Sequence, residues 1–290
     1  MSLIDLRRAI GSPPPTTMRG HLRTLTELGI LERRQENAFP GAIAFELGRP
    51  GRDLLAVVDL LGSWLAEAPM GSIELGSAAA KNSVKALVEG WSSTIIRALA
   101  AKPLSLTELS RLISGLSYPS LERRLGTMRL AGLIERSTGN GRGTPYAVTD
   151  WLRRASGPLA ASIRWERRHL GDQAPPVSRL DFEAVFLLAV PKARLTGEQN
   201  GLCRLGVDLQ SGGEHRLAGV VVEVKEGRVA SCLTRLNGET DAWALGSPSA
   251  WLAALLEQDL ERLEVGGDVQ LAVALVDQLY DSAFRAPAWT

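Results

Sequence analysis

Two stretches of the sequence carry hydroxylated and basic side chains at helical spacing, the residue types that contact nucleic acid. In the later stretch the candidates are Ser120, Arg123, Arg124 and Thr127. In the earlier stretch they are Thr16, Thr17, Arg19, His21, Arg23 and Thr24. Guanidinium groups bind phosphates and guanine edges, and hydroxyl groups reach phosphates or bases in a major groove. The pattern indicates contact with double-stranded DNA, and the alternative is an ordinary solvated helix face.

The two stretches belong to an internal repeat. Residues 106–136 lie on residues 3–33 without a gap after a shift of 103 positions, which places Leu109 on Leu6 and Gly132 on Gly29. A repeat of this kind indicates two copies of one small structural unit. Because a solvated face has no reason to recur with the same flanking pattern, the repetition favours DNA contact.

Each copy reads as a helix-turn-helix. In the second copy Ser105 and Glu108 form a capping box, and the helix that they start is predicted to end at Gly115. Pro119 suits the first turn of the next helix, and Gly132 supplies its left-handed exit. At about 100° per residue, the DNA candidates then lie opposite an apolar stripe that faces the core.

A β-hairpin is predicted after each second helix. In the second copy residues 133–137 and 144–148 form its strands, and in the first copy residues 31–36 and 42–47 do so. A hairpin beside a recognition helix is a wing. Arg142, at the tip of the second wing, is expected to contact phosphate or a minor groove.

Several runs resemble the HxlR-type winged-helix transcriptional regulators over most of residues 1–170. They are LRRAIG, LRTLTELGILERR and FELGRPGRDLLAVVDLLGSWL in the first copy, and LERRLGTMRLAGLIER and YAVTDWLRR in the second. The resemblance implies a DNA-binding regulator whose leading and trailing helices form a dimer interface. With two copies in one chain, it implies either an internal pseudo-dimer or a homodimer with four DNA-binding domains. The second helix of each copy is expected to enter a major groove.

These patterns divide the chain into a first winged-helix domain over residues 1–68, a connector over 69–83, a second winged-helix domain over 84–172 and a C-terminal domain over 178–290. The second copy has a predicted leading helix over residues 84–101, and the first copy lacks its counterpart. We hypothesise that residues 54–66, or the second copy, cover the exposed apolar face. Residues 149–169 are predicted to form a helix interrupted near Gly157 and Pro158.

The C-terminal segment shows a helix, a run of strands and then further helices. Residues 180–190 form the first helix, and strands are predicted over 202–209, 218–224, 228–235 and 240–245. A helix over 249–257 follows, and Asp268 caps a last one. Strands followed by helices indicate an α+β layer, so the fold class is α+β, with two tandem winged-helix domains ahead of it.

Residues 178–285 resemble the sterol carrier protein family. The runs that carry the resemblance are VVVEVKEGRV, WALGSPSAWLAALL and LEVGGDVQLAVALVDQL. The resemblance implies a helix-covered sheet around an apolar tunnel for lipids or similar ligands. Candidate lining residues are Phe182, Phe186, Trp243 and Trp251, which would otherwise be plain core.

Charge separates the two parts of the chain. Residues 1–172 hold 23 Lys and Arg against 16 Asp and Glu, a net charge of +7, whereas residues 173–290 hold 10 against 16, a net charge of −6. This fits a basic DNA-binding part joined to an acidic partner domain. No apolar run reaches the roughly 18 residues of a membrane span, so we expect a cytoplasmic protein without a membrane partner.

Nothing in the sequence supports catalysis, a metal or a cofactor. The three histidines lie in unrelated contexts, and there is no GxSxG, P-loop or HExxH motif. Cys203 and Cys232 are interpreted as buried apolar residues, with a metal or redox role as the alternative. We therefore expect a non-enzymatic transcriptional regulator whose C-terminal domain senses an apolar small molecule. The alternative is a lipid or small-molecule carrier, without DNA, whose winged helices form a protein-interaction scaffold, and a third hypothesis is an enzyme built on the C-terminal domain.

Overall fold

The protein is an α+β structure in a computed structural model that describes residues 3–11, 13–35, 43–89, 92–137, 144–171, 179–211, 214–234 and 236–281. The chain divides into two compact units. One unit comprises Met1–Leu61 with Ala161–Ala174, and the other comprises Gly62–Ala160 with Pro175–Thr290. The second copy of the sequence repeat thus shares a unit with the C-terminal segment, while residues 161–174 belong with the first copy. The three-domain division made from the sequence stays a prediction.

The first unit contains one copy of the repeat and the helix that follows it. Its elements are α1 (Leu3–Ala9), α2 (Pro15–Glu27), β1 (Leu31–Gln35), β2 (Ile43–Leu47) and the first part of α3 (Arg49–Ala66). Pro15 occupies the first turn of α2, where no amide donor is needed, and Gly29 leaves the helix with φ +66°. The antiparallel hairpin pairs Leu31 with Leu47 and Gln35 with Ile43. A helix-turn-helix followed by a wing is therefore present in this unit.

A helix that is distant in sequence, α9 (Ser156–Leu170), packs with its end in the first unit. The Trp165 indole of α9 donates to the Pro50 carbonyl over 2.8 Å. His169 Nε2 lies 3.0 Å from Asp53 Oδ2. Both partners lie on α3 but ahead of residues 54–66, so the hypothesis that residues 54–66 cover the first copy stays a prediction, and the contribution of α9 was not expected. The apolar side chains of Ile4, on α1, and of Ile10, directly after it, remain 69% and 60% exposed.

The second unit begins with the other copy. Its elements are α4 (Ala78–Val88), α5 (Ser92–Ala101), α6 (Leu106–Leu112), α7 (Tyr118–Leu130), β3 (Ile134–Arg136), β4 (Tyr146–Val148) and α8 (Asp150–Arg154). The capping box of Ser105 and Glu108 is present, and Gly132 has φ +76°. The first helix ends at Leu112, earlier than Gly115, and the predicted single helix over 84–101 is two helices. The Ser92 hydroxyl explains that break, because it donates to the carbonyls of Ala86 (2.7 Å) and Glu89 (2.9 Å) and caps the end of α4.

Two tryptophans join the segments on either side of this copy. Trp64, at the end of α3, and Trp151, in α8, stack with ring centroids 4.1 Å apart. Each indole N–H donates to the backbone carbonyl of the other residue, over 2.9 and 2.7 Å. Both side chains are buried, so the pair contributes apolar area while satisfying its polar atoms.

The C-terminal segment is a five-stranded sheet covered by helices. After α10 (Arg179–Ala189) and a short 3₁₀ turn come β5 (Gly201–Ser211), β6 (Glu214–Lys225), β7 (Arg228–Leu233), β8 (Ala242–Gly246), α11 (Pro248–Glu257), β9 (Glu264–Gly267) and α12 (Val269–Leu279). The strand order is β7-β6-β5-β8-β9, and β5 pairs with β8 in parallel while the other pairs are antiparallel. The short strand β9 was not predicted. Asp268 caps α12 as expected, its carboxylate accepting from the Leu271 amide over 3.1 Å.

Candidate nucleic-acid interface

Helix α2 presents a row of polar side chains to solvent. Its buried residues, Met18 and Leu22, are four positions apart and hold one face against the core. The six sequence candidates of this helix are all exposed: Thr16, Thr17, Arg19, His21, Arg23 and Thr24. The structure therefore brings these six residues together on one accessible surface. Thr24 also bonds its own helix, because its hydroxyl donates to the Gly20 carbonyl over 3.2 Å.

A groove between α2 and the β1–β2 hairpin carries three guanidinium groups. It has a volume of about 570 Å³, and its lining includes Arg19 and Arg23 from the helix and Arg33 from β1. The Arg33 guanidinium lies over the Phe45 ring, 5.9 Å from its centroid, which restricts where that charge can point. Arg23 Nε is 3.9 Å from Glu27 Oε1, but both side chains are largely exposed, so this ion pair is weak.

Arg33 was not predicted from the sequence. The signal available was the strand alternation, since Arg33 pairs with Phe45 in the hairpin register and so lies on the same face as that aromatic ring. Its neighbour Arg34 forms a 3.0 Å ion pair with Glu46. Arg33 therefore contributes positive charge to the groove, and the charge of Arg34 is balanced within the hairpin.

Helix α7 of the second copy presents a different surface. Arg123 and Thr127 are exposed as predicted, and the Thr127 hydroxyl donates to the Arg123 carbonyl over 3.1 Å. Ser120 is half-buried, and its hydroxyl accepts from Ser117 Oγ over 2.9 Å. Arg142 lies outside the described residues. Of the predicted contacts on this copy, Arg123 and Thr127 are the ones that the described structure leaves open to solvent.

Arg124 requires a correction, because its side chain points to the end of α4. Its guanidinium donates to the Glu89 carbonyl and to Ser92 Oγ (2.5 Å), with longer contacts to the carbonyls of Lys85 (3.4 Å) and Ala86 (3.5 Å). A cation at a helix C-terminus satisfies the last carbonyls and interacts favourably with the helix dipole. Arg124 is therefore a structural cap, and we remove it from the candidate DNA contacts.

Residues 3–71 match the family model of the HxlR-like helix-turn-helix. The match covers α1, α2, the hairpin and all of α3, and the arginine groove lies within it. It supports an HxlR-type helix-turn-helix regulator in this part of the chain and suggests that DNA is its partner. No curated protein matches the chain.

The aromatic residues proposed to line a ligand tunnel lie in the C-terminal part of the chain. Phe182, Phe186 and Trp251 are buried, and Phe186 packs against both of the others, with its ring edge-to-face to that of Trp251 at a 4.9 Å centroid distance. The Trp251 indole donates to the Gly206 carbonyl over 2.7 Å, which fixes it against the sheet. Trp243 is half-buried and packs over Gly266, so closely that a Cβ at that glycine would lie 2.3 Å from the ring. Phe182, Phe186 and Trp251 thus pack between α10, α11 and the sheet, and their role in lining a ligand site stays a prediction.

The cysteines and the acidic residues offer no chemical centre among the described residues. Cys203 and Cys232 are buried thiols, and burial raises the pKa of each to about 12. Within the described ranges, no group of three or more His, Cys, Asp or Glu side chains is placed to hold a metal ion. None of the described helices is long and apolar enough to cross a membrane.

Proposed function

We propose that the protein is a sequence-specific regulator of transcription that binds double-stranded DNA with α2 and the β1–β2 hairpin, rather than an enzyme. The observation that carries the proposal is the groove with Arg19, Arg23 and Arg33 beside four further exposed polar residues of α2, namely Thr16, Thr17, His21 and Thr24. The family match over residues 3–71 supports it.

The chemistry of the groove suits both parts of DNA recognition. Guanidinium groups bind phosphate and guanine in bidentate geometry, and they keep their charge at any physiological pH. Threonine hydroxyls at the start of α2 reach phosphates or base edges when such a helix lies in a major groove. The hairpin would then contact the adjacent backbone, which positions the helix without specifying sequence.

The experiment is binding of the full chain to labelled fragments of its genome, including the region upstream of its own gene, at two salt concentrations. A complex held by about six phosphate contacts loses roughly 10³-fold in affinity between about 50 and 200 mM salt. Selective retention of some fragments with such a salt dependence is the expected result. Failure to retain any fragment at the lower salt concentration would refute the proposal.

We also propose that the C-terminal domain is sterol carrier-like and modulates the regulator through an apolar small molecule. The support is a helix-covered sheet whose helix α10 bonds two helices of the second copy. Arg97 on α5 pairs with the fully buried Glu183, and Arg153 on α8 donates to the Leu187 carbonyl over 3.0 Å. A ligand that displaced α10 would change these contacts. Mass spectrometry of lipids released from the denatured purified protein tests this, and their absence would count against it.

The oligomeric state follows from the same proposal. Either the two copies act as an internal pseudo-dimer or two chains form a homodimer, as the HxlR resemblance implies. Light scattering of the purified protein distinguishes a 31.2 kDa monomer from a dimer of two chains.

A further inference from the structure

The two copies of the repeat differ in the charges that line the space between helix and wing. The 103-residue shift places Glu122 at the position of Arg19 and Gly126 at the position of Arg23. The wing arginine is kept, because Arg136 corresponds to Arg33 and is likewise exposed. Three arginines in the first copy thus correspond to one arginine, one glutamate and one glycine in the second.

This difference acts directly on the free energy of approach to a phosphate backbone. The three positions carry a formal charge of +3 in the first copy and 0 in the second. Glu122 is exposed on α7, so a nearby phosphate would be repelled there, within a Debye length of about 8 Å at physiological salt. Counterion release, which drives DNA binding, requires cations that neutralise phosphates.

A second difference concerns one of the three arginines on α7, of which Arg123 and Arg129 are exposed. Arg124 occupies the position of the exposed His21, but its guanidinium is bound to the end of α4. Replacing those bonds with a phosphate contact would leave helix carbonyls without their cap. The second copy therefore retains Arg124 for its own fold.

The groove beside α7 carries both signs of charge. It has a volume of about 870 Å³, lies between α7, α4 and residues 68–77, and its charged lining residues are Glu74, Lys85, Glu89 and Arg124. Glu89 Oε2 lies 3.5 Å from Lys85 Nζ and 3.9 Å from Arg124 Nη1, so these charges are balanced within the protein. Protein–DNA interfaces are much more positively charged than this groove.

We infer that only the first copy contacts DNA, and that the second copy is a structural platform for the C-terminal segment. The second role rests on contacts already described: α5 packs along α10, and Arg97 on α5 pairs with the buried Glu183. The inference rests on the proposed function, and it replaces the expectation that both second helices enter major grooves.

The test compares two charge-matched double variants of the full chain. Arg19→Ala with Arg23→Ala removes two exposed arginines from α2, and Arg123→Ala with Arg129→Ala removes two exposed arginines from α7. The probe is a fluorescent mixed-sequence DNA duplex of about 30 base pairs, since non-specific binding already reports phosphate contacts. Affinity is measured by anisotropy at several salt concentrations, and circular dichroism confirms that both variants fold.

We expect the α2 variant to lose about tenfold in affinity per arginine, and its slope of log affinity against log salt to fall by about 2. The α7 variant should bind like the parent with an unchanged slope. Equal losses in both variants, a greater loss in the α7 variant, or no loss in either while the parent binds would overturn the inference. A parent protein that does not bind the duplex even at low salt would instead refute the proposed function itself.

Discussion

Replacing Arg124 by alanine separates a structural role from a DNA-contacting one. The side chain is 19% exposed and donates to Ser92 Oγ and to the Glu89 carbonyl, beyond the end of α4. A hydrogen bond that involves a charged group contributes about 1.5–3 kcal/mol, and a cation near a helix C-terminus adds about 0.3–1 kcal/mol. Because water can replace part of this at the exposed Glu89, we expect Arg124→Ala to destabilise the end of α4 by about 2–3 kcal/mol.

Hydrogen–deuterium exchange of peptides from α4 measures this local loss. A change of about 2–3 kcal/mol corresponds to exchange that is roughly 30- to 150-fold faster. The matched control is Arg123→Ala, one position away on the exposed face, which should change stability by less than about 0.5 kcal/mol. Equal exchange in the two variants would refute the assignment of Arg124 as a cap, and so would lower DNA affinity in Arg124→Ala under conditions where it remains folded.

Three further predictions concern strain, charge and burial. Gly132→Val should lower the free energy of unfolding by about 2 kcal/mol or more, because φ is +76° there and a Cβ would lie 3.0 Å from the Pro69 ring. The control is Gly126→Ala, whose Cβ would meet nothing within 4 Å. An unchanged melting curve for the valine variant would contradict this explanation. Burial lowers the pKa of Lys192 from 10.5 to about 8, so its protonation penalises the folded state below pH 8 and the penalty disappears as the pH rises to 10.5. Lys192→Met should therefore raise the melting temperature at pH 7 by an amount that shrinks over that window, and a pH-independent gain would argue against a buried charge. Burial raises the pKa of Cys232 to about 12, so alkylation at pH 8 should be slow in the folded protein and fast in denaturant; equal rates would show that the thiol is accessible.

Local signals in the sequence were sufficient for the start and end of many elements. The Ser105 capping box and the Asp268 cap depend on side chains that bond amides within three residues. The turn after Lys225 is similar, because Glu226 and Gly227 both adopt positive φ and join two strands directly. Each of these features is decided within a few residues, so residue type and spacing carry enough information.

Features decided by distant partners were missed or misplaced. The role of Arg124 depends on a hydroxyl and on carbonyls that lie 32 to 39 positions away, and the stacked Trp64 and Trp151 are 87 positions apart. Arg124 occupies a solvent-facing position in the helical pattern, but its long side chain folds back across α7 to α4. The same limit applies to the aromatic residues of α10 and α11, which pattern alone could not assign to core or tunnel.

Matching apolar residues of the two copies differ in burial. Ile113 is 4% exposed in the second copy, whereas Ile10, at the matching position, is 60% exposed. In the second copy α5 packs on α6, whereas the Ile10 side chain of the first copy is open to solvent. The second copy is therefore covered by its own leading helix, α5, and α10 packs in turn against α5 and α8. The first copy keeps its helix–wing surface open and arginine-rich. The second copy is thus more covered by neighbouring helices and has fewer positive charges between helix and wing than the first copy. Both differences are expected if the second copy is structural and the first copy binds DNA.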